Sequence, residues 1–593
     1  MTESTSRDFD VPLLRSPSGQ APTSTTGIPG PTWSNLPNHS RATSATRPVE
    51  VQKAQSDTTS DKATAAFIRR TLCSHNVLLG NGEKGRSTPR PIEEVLPPLT
   101  SSNAVDLQLY GIISVIIKEF VQTWYSKVTP DQVFVNEVIQ IIAHCTRGLE
   151  QRLRKVDLEA LLLDEIPELL QAHLSSLRIA KYQAASSSSL ASDPRVILHT
   201  LHPHPALSPV PTDLVPATVL EQRESESAWR QLLVQGVLAL LLPTEDLENG
   251  CLRALVAEIF AEMILGNGIS GKACEGWVLW EGITRIAEVL QTDATKEKDF
   301  RLEDVNTEQS LTRLERFGLL APLEGTEARS QEPLVVVEHR QETLAVYTSG
   351  LFWAVIQYAF LAFTAARAVM LNLATSSSLP SRSATSEQSS VEGPSQSQMP
   401  QVDASASKRP LRAKRPVVSM TLWSCAAQLA ELAVRMPWLL GFISMLRRGA
   451  LVGTGRVGET DGVLDRFLSH TIHTRILNPA FLPGVLRTLR ATLFPNNAFG
   501  PPRQIPSDEE SEAIKHCCAA TLLNLVPPKV AAAFFASHER GAQVRQIEDT
   551  LSCLDDVYLN KHLVLQIVEL IVLRLFPELG ERGVMELLEE RIS

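Results

Sequence analysis

From Asp106 onward the apolar residues recur at helical spacing. Ile112, Ile113, Ile116, Ile117, Phe120 and Trp124 give a first helix one greasy face. Thr129-Pro130-Asp131-Gln132 restarts the chain: Thr129 can cap orphan N–H groups, Pro130 fits a first turn, and Gln132 stands at the capping-box position. The next helix carries Phe134, Val138, Ile141, Ile142, Cys145 and Leu149 on one side; Val156-Asp157-Leu158 opens a short one, and Pro167 opens the one with Leu170, His173, Leu174 and Leu177. Further on, Trp229–Leu242 is apolar along one side and stops at Pro243. Thr244 is the expected cap of a helix with Leu252, Leu255, Val256, Ile259, Phe260 and Met263 inward and Arg253, Glu258 and Glu262 outward. Trp277–Leu290 follows. Upstream, Ala65, Phe67, Ile68 and Leu72 share a face within Thr64–Asn76. Near the C-terminus Leu563, Val564, Ile567, Val568, Ile571, Val572 and Leu575 leave only Gln566, Glu569 and Arg574 for solvent. The pattern predicts an all-α fold.

Polar stretches divide these helices. Residues 1–60 are rich in Ser, Thr, Pro and Gly and bury too little apolar surface to offset the entropy of ordering, so 1–100 is expected to be disordered or extended apart from the Phe67 helix. A helical domain is expected over 101–300, a charged segment with an apolar helix over 301–371, a Ser/Pro/Gln linker with a basic end over 372–417, and a second helical domain over 418–593. Leu344–Ala366 carries neither charge nor proline and is long enough to span a bilayer. Ala, Thr, Ser, Gly and Gln357 dilute it, while Phe352, Ile356, Phe360 and Phe363 gather on one stripe, so it reads as a buried or membrane-dipping helix rather than a spanning one. The basic run Lys408, Arg409, Arg412, Lys414 and Arg415 is a candidate contact for anionic lipid, each charge being worth about 1 kcal/mol near such a surface; a solvated linker or a sorting signal is the alternative.

Charge changes the picture little. With 56 Lys+Arg against 66 Asp+Glu the chain is mildly acidic, and no nucleic-acid partner is implied. Its 8 cysteines are scattered without a CxxC pair, as small core residues of a reducing compartment would be. The first residues lack the apolar core of a secretory signal, and a chain facing the cytosol is expected. Gly453-Thr454-Gly455-Arg456-Val457-Gly458 spells GxGxxG but follows a helical stretch, not the strand that a dinucleotide site needs. His199, His202 and His204 sit in a proline-punctuated turn that reads as structural. His516-Cys517-Cys518 falls on a helix, where adjacent side chains diverge and cannot share a tetrahedral metal. No GxSxG, HExxH or P-loop occurs. Neither catalytic residues, cofactor nor metal are expected.

Two ordered sets of residues resemble known modules. Trp124-Tyr125, Val128-Thr129-Pro130-Asp131, Phe134, Arg152, Val156-Asp157-Leu158, Ile166–Leu170 with His173-Leu174, and Leu201-His202-Pro203 with Pro205-Ala206-Leu207 resemble the PXA (PX-associated) domain of a branch of the sorting nexins. Leu493-Phe494-Pro495, Pro527-Pro528, Leu559-Asn560-Lys561-His562-Leu563-Val564 and Leu575-Phe576-Pro577-Glu578-Leu579 resemble the sorting nexin C-terminal domain. Neither a PX domain nor an RGS-type bundle is found in the sequence. The resemblance implies one helical body with an apolar interior suited to acyl chains, on the cytoplasmic face of endosome, vacuole or endoplasmic reticulum membranes, with phospholipid as partner and a peripheral rather than integral attachment. A non-enzymatic scaffold or organelle tether is the alternative. Trp124, Tyr125, Asp157, His173, Pro203, Asn560, Lys561, His562 and Pro577 are expected to serve packing or capping.

Overall fold

The computed structural model describes residues 60–73, 91–129, 133–185, 193–212, 215–291, scattered positions of 356–382, and 414–592 except 454 and 499–503. Among the described residues there are helices and no strand. Helix α1 spans Asp61–Leu72 and α2 spans Asn103–Ile116, which continues through a π-helical turn, Ile117–Gln122, into Thr123–Val128. Helices α3 (Val133–Leu153), α4 (Ile166–Ala184), α5 (Pro194–Leu201) and α6 (Pro216–Leu241) follow. Helix α7 is Gly250–Glu258 continued as a π-helix over Ile259–Ala273, and α8 covers 276–291. The C-terminal half holds α9 (Leu422–Leu429), α10 (Pro437–Val452), α11 (Val463–Arg475), α12 (Leu482–Leu493) and α13 (Asp508–Leu525). Helices α14 (Pro528–Phe534), α15 (Arg540–Leu551), α16 (Val557–Leu575) and α17 (Val584–Ile592) complete it.

The two halves share their cores. Leu177, Ala180, Leu198 and Leu207 of the first half pack with Tyr558, Leu559 and Leu565 of α16. Trp280 of α8 enters the cluster of Cys518, Ala519, Leu523 and Val544. Phe67 and Val115 close on Phe494, Leu163 on Val417 and Met420, and Leu588 on the cluster around Leu238 and Leu242. Helix α1 belongs to this body: Thr64 and Ile68 are fully buried, as the Phe67–Leu72 spacing predicts.

Caps account for several starts. Asp157 accepts from the Ala160 amide, Asp193 from Arg195, and Ser507 forms a reciprocal capping box with Glu510. Thr129 closes the preceding helix in an extended conformation, and residues 130–132, on which its part at the start of α3 depends, lie outside those described. Two expectations are corrected. Thr244 is the first residue of a short turn, Thr244–Glu248, without a side-chain cap; Asn249 caps α7 instead. Asp556, one turn earlier, caps α16, so Asn560 lies inside that helix. Among the described residues of the stretch expected to be a disordered linker, 372–417, Arg382 is buried and Lys414–Val417 pack onto the first half.

Candidate functional site

The residues singled out at Asn560-Lys561-His562 meet the first half directly. The Asn560 amide donates to the carbonyls of Cys274 (2.9 Å) and Leu554 (2.8 Å), Lys561 pairs with Glu226 at 3.2 Å, and His562 Nε2 lies 2.7 Å from the His202 carbonyl oxygen. His173 stacks on His562 at 5.7 Å between ring centroids, and His204 stands edge-on to both His562 and Trp229. Tyr558 donates to the Leu207 carbonyl. Arg152 completes the seam: it reaches both carboxylate oxygens of Glu578 at 3.0 Å and the Leu575 carbonyl, with its guanidinium over the Phe576 ring. Pro203 and Pro577 are exposed turn residues beside these contacts. Burial holds His173 down from 6.5 to about 4, and holds His562 and His199 below their ordinary value, which favours the neutral form of these three rings. Among the described residues no group of His, Cys, Asp or Glu is placed to hold a metal ion.

A second seam contact involves residues that the sequence offered no reason to choose. Arg382 is buried between Asp465 (2.7 Å) and Glu159 (3.0 Å), and Asp465 also accepts from the Val417 and Asp461 amides. Beside it Arg415 grips both oxygens of Asp164, and Lys414 lies 3.9 Å from Asp157 and donates to the Arg382 carbonyl. Two members of the proposed lipid-contacting basic run are thus engaged within the protein; Lys408, Arg409 and Arg412 lie outside the described residues, as does Phe352. The described positions of the apolar stripe, Ile356, Phe360 and Phe363, expected to be buried or to dip into a membrane, are exposed in the structure.

Exposed apolar side chains extend over whole helices. On α7 the buried residues are Ala257, Ala261 and Ser270, while Leu255, Ile259, Phe260 and Met263, expected inside, are exposed; Glu262, expected outside, pairs with Arg230 at 2.7 Å. Helix α12 buries only Arg490, and Leu482, Val485, Leu489 and Leu493 face out. Helix α10 buries nothing at all: Trp438 is 69 % exposed, Phe442 55 % and Met445 76 %. No acid occurs between Glu431 and Glu459, whereas Arg447 and Arg448 lie within α10, a signal present in the sequence itself. Beyond Ile117 the π-turn adds a residue to the turn and rotates the greasy face, so that Ile117 is buried but Ile116, Phe120, Trp124 and Val128 are exposed. Trp124 and Tyr125 form an aromatic group with Phe134. Helix α16 lies against α3, α4 and the π-helical part of α7, yet past Leu565 its apolar residues are only half-buried.

The described residues of GTGRVG, all but Thr454, follow α10 and fold back on it, with the Gly458 amide donating to the Ala450 carbonyl; no strand among the described residues precedes them. All cysteines are free, and burial pushes Cys145 up to about 11 and Cys274 up to about 12, so neither forms a thiolate near neutral pH. No single described helix is long and apolar enough to cross a membrane; the bent pair Asp508–Leu525 and Pro528–Phe534 has that composition, but Cys518, Ala519, Leu523 and Ala531 are part of the core.

Comparison with known proteins agrees with the first of the two resemblances. Residues 102–286 match the PXA domain family. PXA domain protein 1 of Schizosaccharomyces pombe is 31% identical over 156 residues, 26% of this chain and 29% of that protein. Human sorting nexin-13 is 23% identical over 167 residues (28% and 17%), and sorting nexin-14 of Danio rerio 21% over 183 residues (30% and 18%). The chain therefore spans under a third of the length of these curated relatives. No solved structure matches it significantly.

Proposed function

We propose, from the premise that the chain carries a PXA domain and is similar to sorting nexins over it, that this is a non-enzymatic, lipid-binding protein of endomembrane trafficking, attached peripherally to the cytoplasmic face of an organelle. The observation that carries the reading is the inversion of α7, α10 and α12, which turn small residues (Ala and Ser), Arg or nothing inward and large apolar side chains outward. In water each large side chain left exposed forgoes roughly 1.5–3 kcal/mol of burial. Against hydrocarbon that penalty vanishes, and small residues at the helix–helix contact with large ones outside are what lipid-facing helices use. An acid-free helix with a Trp and adjacent arginines, such as α10, suits the interface of an anionic leaflet. The sorting-nexin C-terminal likeness of the second half and the half-covered apolar length of α16 support the companion reading, that acyl chains lie against α16 within the body.

Two measurements test this. Replacing Trp438, Phe442 and Met445 together by Ser is expected to release the protein from phosphatidylcholine vesicles in flotation while leaving its melting temperature within a few degrees, because these side chains touch little of the fold. Native mass spectrometry of protein purified from cells is expected to show co-purifying phospholipid. Full flotation by the triple variant, or a wild type that carries no lipid and floats with no vesicle, contradicts the reading and leaves the exposed faces to protein partners.

A further inference from the structure

Outside the seam a cavity of about 350 Å³ lies between α1, the π-turn after α2 and the turn Pro495–Asn497, a volume within the ~300–1,000 Å³ of small-molecule sites. Its floor is apolar, made by Ala63, Ala66 and Phe67; its polar lining is Arg70, Lys118, Asn496 and Asn497, and no carboxylate lines it. Arg70 stands in the last turn of α1 and makes no ion pair among the described residues, while Lys118 meets only Glu119, at 3.4 Å and exposed. Asn496 and Asn497 are both left-handed, with φ of 58° and 55°, a conformation that Asn tolerates better than most residues. Behind α1 lies a third cation. Arg490 is fully buried, gives one hydrogen bond to Thr64 (2.7 Å), and its Nε and Nη1 find no acceptor. Arg487 beside it is matched by Asp61. A buried charge without a counter-ion keeps its field in the low dielectric of the interior, so the region is positive in a protein whose net charge is -10.

We propose that this cavity binds the phosphate group of an anionic phospholipid, Arg70 and Lys118 holding its oxygens, the Asn496 and Asn497 amides donating to them, and Phe67 meeting the start of the glycerol. The phosphate chemistry rests on the lining; the choice of a lipid as its bearer rests on the membrane reading above. Exposed Ile116 and Phe120 flank Lys118 and exposed Leu493 precedes the Asn pair, so apolar side chains lie within a helical turn of both ends of the site.

The test compares full-length wild type with the Arg70→Gln/Lys118→Gln double variant on vesicles of phosphatidylcholine alone and of phosphatidylcholine with phosphatidic acid. Both side chains are exposed and the one ion pair lost contributes little, so the variant folds. Wild type is expected to prefer the acidic vesicles, and the variant to lose about tenfold or more of that preference while binding neutral vesicles unchanged. An undiminished preference in the variant overturns the proposal. Excess inorganic phosphate separates the two bearers: a headgroup site keeps its vesicle preference, and displacement assigns the cavity to free phosphate and overturns the lipid assignment. If wild type binds no vesicle, the membrane reading has failed, and the cavity is judged by phosphorus NMR with soluble dihexanoyl phosphatidic acid. A shift with wild type that the variant lacks supports the site, and no shift overturns it.

Discussion

Arg382 is a residue that no spacing argument selects. It sits in a Ser/Pro-rich stretch, and only the fold shows that its guanidinium joins two buried carboxylates, Glu159 from the first half and Asp465 from the second. Removing one member of such a set leaves charge buried without compensation, which costs about 3–5 kcal/mol. Arg382→Ala is therefore expected to lower stability by that amount in denaturant melts, and Arg382→Ala combined with Asp465→Asn to cost less than the sum of the two. The buried histidines were legible differently: His173 and His562 each stand out in a motif, but their mutual stacking joins positions far apart in sequence. Because the folded protein holds His173 at about 4 against an ordinary 6.5, the unfolded chain takes up a proton that the folded one refuses as pH falls through this window. The sign is a loss of stability on acidification from pH 6.5 toward 4, about 3 kcal/mol from His173 in full, with His562 acting in the same direction. Melting temperatures measured across this range should fall less steeply for His173→Gln than for wild type.

At the scale of the element, helical periodicity located most helices correctly and misjudged which face is inside. The α7 pattern reads as an amphipathic helix with Leu255, Ile259, Phe260 and Met263 in the core, because periodicity assumes water outside. The fold packs α7 through Ala257 and Ala261 against α6. A Leu at Ala261, fully buried, overpacks that contact and is expected to cost about 1–3 kcal/mol. Phe260→Ser on the same helix should leave stability within about 0.5 kcal/mol, as exposed positions do. Equal destabilisation by both would show that Phe260 is covered. The cue for inversion was in the sequence: α10 is acid-free over its whole length, and no globular core helix needs that. The π-turn at Ile117–Gln122 had no such cue, since its extra residue leaves composition unchanged.

Over the whole molecule, the apolar length of α16 demanded cover that one half of the chain could not supply, and the cover observed comes from the other half. The quoted motifs of the two halves are each other's partners: Leu201-His202-Pro203 meets Asn560-Lys561-His562, and Arg152 meets Leu575–Glu578. Without the second half, the Cys274 carbonyl loses its Asn560 donor, Glu226 keeps Arg230 and Gln222 but loses Lys561, and Leu198 and Leu207 lose their apolar partners. Each buried polar group left unpaired costs roughly 1–3 kcal/mol, and the apolar clusters add their lost transfer energy. Residues 60–291 and 356–592, expressed separately, are therefore expected to aggregate or to require detergent, and expressed together as two chains to co-elute from a sizing column. The break lies where the covalent link matters least, since closure entropy grows only logarithmically with length. Asn560→Ala with Arg152→Ala, at two separate points of the seam, should weaken co-elution of the two chains far more than either change alone. Two soluble fragments that ignore each other would mean that the shared clusters contribute little to stability.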